Sequence, residues 1–475
     1  MLSILIHPNR MTVKQKIWKP SHPARSAVYE AARRRHLHPY NADTTVQQLA
    51  DQLTWEEVQV DAPDVTDVET LATLAKMSSN AYTTPKDGGW YNLSSNHTTY
   101  NLSTSFGWAE DGVRGHVFSS GPKNESIVIA LKGTSGFSGG IGGSTGRNDK
   151  LNDNLLFSCC CARVDWSWST VCDCYSGGPN KCNLTCLEDA LIEKSVYYPT
   201  ATDLFNNITA MFPTSNIWLT GHSLGGSLAA LLASTFGIPC VTFEAPGDLL
   251  PAKRLHLPLP PGANWEDKRP EFGTTHVYTN SDPIPQGVCT GALSACTLVG
   301  FAMETKCRTG QTIIYDTVGK LGWGVDIRTH RIAVLIDKLL IPNWDKDADK
   351  DIQGKVYEDG LTAAHEIGPN VATTSWHWPW SGKKGKKKKN KKQKDGDSNH
   401  TDPDDRPDEE PIPSPPPPAK KRKSHVPVAE VDKECTDCFK WEFFDDDGSG
   451  SGNGSSSVLE SGLAFDLHKK RSKCW

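Results

Sequence analysis

Residues 216–236 constrain the fold more than any other part of this 475-residue chain. Asn216-Ile-Trp-Leu-Thr220 is a short apolar run, Gly221-His-Ser-Leu-Gly225 follows it with Gly226, and Ser227-Leu-Ala-Ala-Leu-Leu-Ala233 has the composition of a buried helix. The order is strand, tight turn, helix. A Gly-x-Ser-x-Gly turn in that setting lifts its serine above the end of a sheet, and the crowding there leaves room only for glycine at 221 and 225. Gly226 lets the helix close onto the strand. Ser223 is therefore the candidate nucleophile.

Composition narrows the rest. Hydrophobic residues make up 37% of the chain, below the globular norm, and much of the shortfall lies after residue 380. The net charge of -5 says little, because separate basic and acidic runs cancel. Of 14 cysteines, seven fall between Cys159 and Cys186, and Asn-x-Ser/Thr sequons stand at Asn92, Asn96, Asn101, Asn124, Asn183, Asn207, Asn399 and Asn453. Dense cysteines with many sequons indicate a glycosylated, disulfide-bonded chain in a lumenal or extracellular compartment. Met1-Leu-Ser-Ile-Leu-Ile-His7 is too short for a signal peptide's apolar region, and no stretch approaches the roughly 18 apolar residues of a spanning helix. A truncated or mis-started amino terminus is the expectation.

The chain divides into a basic segment over residues 1–45, a domain over 46–345, a linker over 346–380 and a low-complexity tail over 381–475. Within the domain, Val68–Lys76 reads as an amphipathic helix capped by Thr66 or Asp64. Short alternating runs over 88–120, including Trp90, Tyr91, Tyr100, Phe106 and Trp108, read as early strands and hairpins. Ser126–Leu131 is a strand buried on both faces, Leu187–Met211 has helical spacing, Cys240–Phe243 and Thr275–Thr279 are strands, and Ile332–Leu340 is a final helix ended before Pro342. Alternating strands and helices give an α/β sheet. The cysteine cluster reads as a disulfide-rich insertion rather than a zinc site, because Cys172-Asp-Cys174 and Cys182-x-x-x-Cys186 lack the paired Cys-x-x-Cys spacing. The tail carries a lysine run at 383–389, an acidic run at 402–410, prolines at 415–418 and a Gly/Ser run at 448–457, and is expected to remain disordered. Its basic runs suit a solvated tail or weak attraction to anionic lipid rather than nucleic acid.

A serine hydroxyl needs a base to take its proton and a carboxylate to orient that base, and in the α/β-hydrolase order both follow the serine, acid first. Asp282, where the Thr275–Thr279 strand runs into Asn280-Ser-Asp-Pro283, is the candidate acid, with Asp248 as rival. His330, just before the last helix, is the candidate base, with His365 and His377 as alternatives. The backbone N–H of Leu224 and that of Thr134, in the loop after the buried strand, are the candidate oxyanion donors. This chemistry requires no metal and no organic cofactor.

Lys132-Gly-Thr134, Gly221-His-Ser-Leu-Gly225 and Asn280-Ser-Asp-Pro283 resemble the class 3 lipases. The Cys159-Cys-Cys161 cluster, Phe243-Glu-Ala-Pro-Gly247 and Val325-Asp-Ile-Arg-Thr-His330 resemble, more closely, the fungal autophagy-related vacuolar lipases, over about residues 50–345. The resemblance implies an α/β-hydrolase acting on triacylglycerols and phospholipids of lipid membranes and vesicles. It also implies lysis of autophagic bodies and multivesicular-body vesicles, delivery to the vacuole through endosomes, and a family amino-terminal anchor that is not visible in this sequence. Ser223, Asp282 and His330 fall where that family's triad falls. A soluble carboxylesterase, or a non-catalytic membrane-binding glycoprotein, is the alternative expectation.

Overall fold

The apolar run Ser126–Leu131 offers water no polar face, so it needs cover on both sides. In the computed structural model it is a strand buried at every position. The structure describes residues 11–20, 54–344 and 426–444, apart from 94–99, 109–111, 122–123, 136–144, 165–168, 178–179, 265–271 and 343. Its strands are β1 (Thr12–Pro20), β2 (Trp55–Pro63), β3 (Tyr100–Phe106), β4 (Gly115–Ser120), β5 (Ser126–Leu131), β6 (Lys181–Asn183), β7 (Asn216–His222), β8 (Cys240–Phe243), β9 (Thr274–Thr279), β10 (Gln311–Tyr315) and β11 (Glu442–Phe444).

Seven of them form the central sheet in the order β10-β9-β8-β7-β5-β4-β3. From β5 to β10 the pairings are parallel, while β3, β4 and β5 pair antiparallel. The side-chain period of two sends alternate residues of β5 into different cores. Ile127, Ile129 and Leu131 join Leu219, Phe205, Leu228 and Phe236 on one face. Val128 and Ala130 join Trp218, Phe243, Leu71 and Leu335 on the other.

The longer helices supply that cover: α1 (Val68–Asn80), α2 (Gly146–Phe157), α3 (Leu184–Lys194), α4 (Tyr197–Met211) and α5 (Leu224–Phe236). Helix α1 and the final helical run Ile332–Leu340 lie on one face, and α4 and α5 on the other. The cap of α1 differs from expectation. Asp67 accepts from the Thr70 N–H at 2.9 Å, while Thr66 donates its hydroxyl to Asp64, because the helix starts at Val68 and only residue 67 stands directly before it. The helical spacing over 187–211 also resolves into two helices. Pro199 would clash with the Ser195 carbonyl inside one continuous helix but is tolerated in the first turn of a new one.

Two terminal segments depart from the sequence reading. Part of the basic amino-terminal segment is β1, paired antiparallel with β2 along its whole length. In the carboxy-terminal stretch expected to lack packed structure, residues 426–444 form a strap across the domain. Cys435 is bonded to Cys307 and Cys438 to Cys159, Glu430 exchanges backbone hydrogen bonds with Thr312, and β11 pairs with β6. The strap needs no core of its own, because Phe443 and Trp441 pack against the cysteine cluster of the domain. That cluster is disulfide-bonded as Cys160–Cys182, Cys161–Cys172 and Cys174–Cys186, and Cys289–Cys296 closes a separate loop. Among the described residues no helix is long and apolar enough to cross a membrane.

The two strap disulfides close the longest covalent loops, with sequence separations of 128 and 279 residues. Paired replacement of Cys307 and Cys435 by serine is expected to lower stability by about 2–4 kcal/mol. Guanidinium unfolding checks this, and an unchanged midpoint would show that the Cys307–Cys435 bond adds nothing to the stability of the fold.

Candidate active site

Strand β7 ends at His222 and α5 begins at Leu224, so Ser223 alone makes the turn between them. Its φ of 57° and ψ of -132° lie in a region that side-chain-bearing residues seldom occupy. Such a conformation is held by its surroundings. The Ser223 N–H donates to the Phe243 carbonyl at the end of β8, and its own carbonyl accepts from Gly226 and Ser227. A Cβ at position 221 would stand 2.4 Å from the Gly225 carbonyl oxygen, and one at 225 would stand 2.3 Å from that of Leu131. Only glycine permits these approaches.

The structure brings Ser223, His330 and Asp282 together, although 107 and 48 positions separate the pairs in sequence. His330 Nε2 lies 2.8 Å from Ser223 Oγ, and His330 Nδ1 lies 2.6 Å from Asp282 Oδ2. A carboxylate can only accept, so Nδ1 carries the proton and Nε2 is free to accept from the serine hydroxyl. Asp282 follows β9, and its other oxygen accepts from the Ile284 N–H at 2.9 Å. His330 ends a short 3-10 turn, Ile327–His330, that leads into the final helical run. All three side chains are buried.

Leu224 is the first residue of α5, and its N–H is one of the first-turn donors that a helix leaves without an internal partner. Opposite it runs Lys132-Gly-Thr134, where a Cβ on Gly133 would stand 3.0 Å from Ser223 Cβ. Helix α2 fixes this loop. Lys132 Nζ lies 3.1 Å from Asp149 Oδ2 and 2.8 Å from the Gly133 carbonyl, and the Thr134 hydroxyl donates to Asp153. Asp149 also accepts from the Ser135 N–H and the Tyr197 hydroxyl.

Four residues that support the site carry no assignment from sequence: Asp149, Asp153, Tyr82 and His222. Asp149 and Asp153, four apart on one helical face, gave a readable signal. Tyr82 and His222 gave none beyond the position of His222 in the glycine motif. Burial pushes the His222 imidazole well below its usual value, so it is neutral. Its Nε2–H donates to the His330 carbonyl at 2.8 Å, and Nδ1 accepts from the Tyr82 hydroxyl at 2.8 Å.

Asp248 does not join the site. It accepts from the Thr309 N–H and hydroxyl and lies 3.5 Å from His276. His365 and His377 lie outside the described residues, as do Asn96, Asn399 and Asn453. Asn92, Asn101 and Asn207 are exposed and Asn124 is half-buried. Asn183, also half-buried, accepts from the Cys186 N–H as the cap of α3.

The family described as "Lipase (class 3)" matches residues 172–238, which include the glycine-flanked serine. The chain is similar to proteins named "Putative lipase ATG15". It is 48% identical to that of Cryptococcus neoformans var. neoformans over 82% of this chain and 70% of the relative. It is 47% identical to that of Mycosarcoma maydis over 83% and 70%, and 46% identical to that of Yarrowia lipolytica over 70% and 57%. Among solved structures, lipase II from Rhizopus niveus is similar over 52% of this chain and 80% of that one, at 15% identity with a TM-score of 0.26, a likeness too slight to argue from.

Burial raises the Asp248 carboxyl from 3.8 to about 6. Folding therefore binds a proton between those values, a contribution present below the unfolded value and lost as pH rises through about 6. Relative to Asp248→Asn, the wild type should lose about 2 kcal/mol of stability between pH 3.8 and pH 6. Unfolding curves of both proteins across that window check this; parallel curves would refute it.

Proposed function

Given that the chain belongs to the family of fungal proteins named "Putative lipase ATG15", we propose that it is a serine lipase whose nucleophile is Ser223. The observation that carries this reading is His330, bridging Ser223 and Asp282 at 2.8 and 2.6 Å inside a buried site. Ser223 Oγ attacks the ester carbonyl as its proton passes to His330 Nε2, and Asp282 holds the ring and stabilises the imidazolium. The N–H groups of Thr134 and Leu224 are the proposed donors to the developing oxyanion. His330 then gives its proton to the leaving alcohol. Water, deprotonated by the same ring, releases the fatty acid and restores the serine.

A lipid surface, rather than a dissolved ester, is favoured by the loop after Asp282. From Pro283 to Met303 the sequence holds no charged residue, and Val288, Leu293, Leu298 and Val299 in that stretch are exposed, Leu293 by 86%. Water does not favour such a surface, whereas acyl chains do. Triacylglycerols and phospholipids are the proposed substrates. Through the family resemblance, the membranes of autophagic bodies and multivesicular-body vesicles delivered to the vacuole are the proposed setting.

Purified wild type is expected to release fatty acid from phospholipid vesicles and triacylglycerol emulsions, and Ser223→Ala to lose this by about a thousandfold or more. Equal release by both proteins would refute Ser223 as the nucleophile. Activity confined to dissolved short-chain esters would make the protein a carboxylesterase.

A further inference from the structure

The Phe243-Glu-Ala-Pro-Gly247 motif contains a charged residue type at a position that resists it. Glu244 follows β8, has a φ of 45°, and is completely buried. A left-handed backbone suits glycine or asparagine, so a long acidic side chain there has to be held by its contacts. Its N–H donates to the Val277 carbonyl, and both its carboxyl oxygens accept from the Thr279 N–H, at 3.1 and 3.2 Å. Asp282, itself completely buried, donates its N–H to the carbonyl of that same Thr279 at 3.2 Å, so the two carboxyls share one buried turn at the end of β9, near enough to interact. The guanidinium of this neighbourhood, Arg308, directs its donors to the backbone carbonyls of Lys306, Ala245 and Pro285.

Two carboxyls in contact within a dry site cannot both ionise, and one proton between them turns repulsion into a hydrogen bond. Asp282 is already the acceptor for His330 Nδ1 and the Ile284 N–H. We propose that Glu244 is a positioning residue that stays protonated and donates a hydrogen bond to Asp282, fixing the carboxylate that orients His330. Burial, and then the neighbouring Asp282, push the Glu244 carboxyl well above the usual range, which agrees with this placement of the proton. A neutral donor at that point locks the Asp282 oxygens toward the histidine without adding a second charge to the site. The proposal rests on the triad reading above and adds the residue that holds its acid.

Infrared spectroscopy tests the protonation without relying on activity. Wild type minus Glu244→Gln should show the carbonyl stretch of one buried neutral carboxyl that moves in deuterated buffer; absence of that band would overturn the proposal. On a dissolved p-nitrophenyl ester, Glu244→Gln, which keeps a neutral donor of the same shape, should retain kcat within about threefold. Glu244→Ala should lose about tenfold or more in kcat with KM nearly unchanged. Loss in Glu244→Gln equal to that in a folded Glu244→Ala, or no loss in either, would also overturn the positioning role. Ser223→Ala separates the two readings: a neutral-carboxyl band in a protein without Ser223-dependent hydrolysis would support the acid pair while refuting the serine mechanism.

Discussion

The site depends on one backbone conformation, that of Ser223 between β7 and α5. A residue at a φ of 57° and a ψ of -132° carries strain on the order of 1–3 kcal/mol and persists only where its surroundings give it no alternative. Those surroundings are a strand buried on both faces and a helix buried all round, clamped by glycines whose missing Cβ atoms let backbone meet backbone. The Phe243 carbonyl at the end of β8 accepts from the Ser223 N–H, so the neighbouring strand takes part as well. Once the sheet is assembled, the serine has one direction in which to point.

Burial then sets the electrostatics. His222 is kept neutral by its dry surroundings, which lets it hold the His330 carbonyl without placing a cation beside the His330 ring. Burial also pushes up the carboxyl of Asp153, which faces the Thr134 hydroxyl from α2. The Lys132–Asp149 pair is desolvated on both sides and tolerable because Ser135, Thr145 and Tyr197 satisfy its remaining donors and acceptors. These polar contacts fix the loop that faces the serine, and low dielectric makes each of them more demanding of geometry.

Around this centre the chain relies on covalent ties where apolar burial is thin. The cysteine cluster buries its disulfides with Leu187, Ala190 and a few aromatic rings, and the strap adds Val426 and Ala429 to the edge of a main core. Crosslinks substitute there for a core, by limiting the unfolded chain rather than by adding contacts to the folded one. The strap also covers the outer edge of the sheet at Thr312, where an unpaired strand would otherwise offer its backbone to another chain.

Local signals in the sequence determined the strand–turn–helix around Ser223, the doubly buried strand Ser126–Leu131, the α/β alternation, and the short set of residues from which an acid and a base had to come. Periodicity, glycine placement and composition act over a few residues, so they are legible one stretch at a time. Tertiary structure alone decided that Asp248 sits with Thr309 and His276 while Asp282 reaches His330, and that cysteines near the carboxy terminus return to Cys159 and Cys307. Tyr82, His222 and Glu244 belong to the same class, since each makes its contact with distant chain. Which buried polar groups meet depends on how the layers pack, and the energy of such a contact exists only after folding has removed the water between its partners.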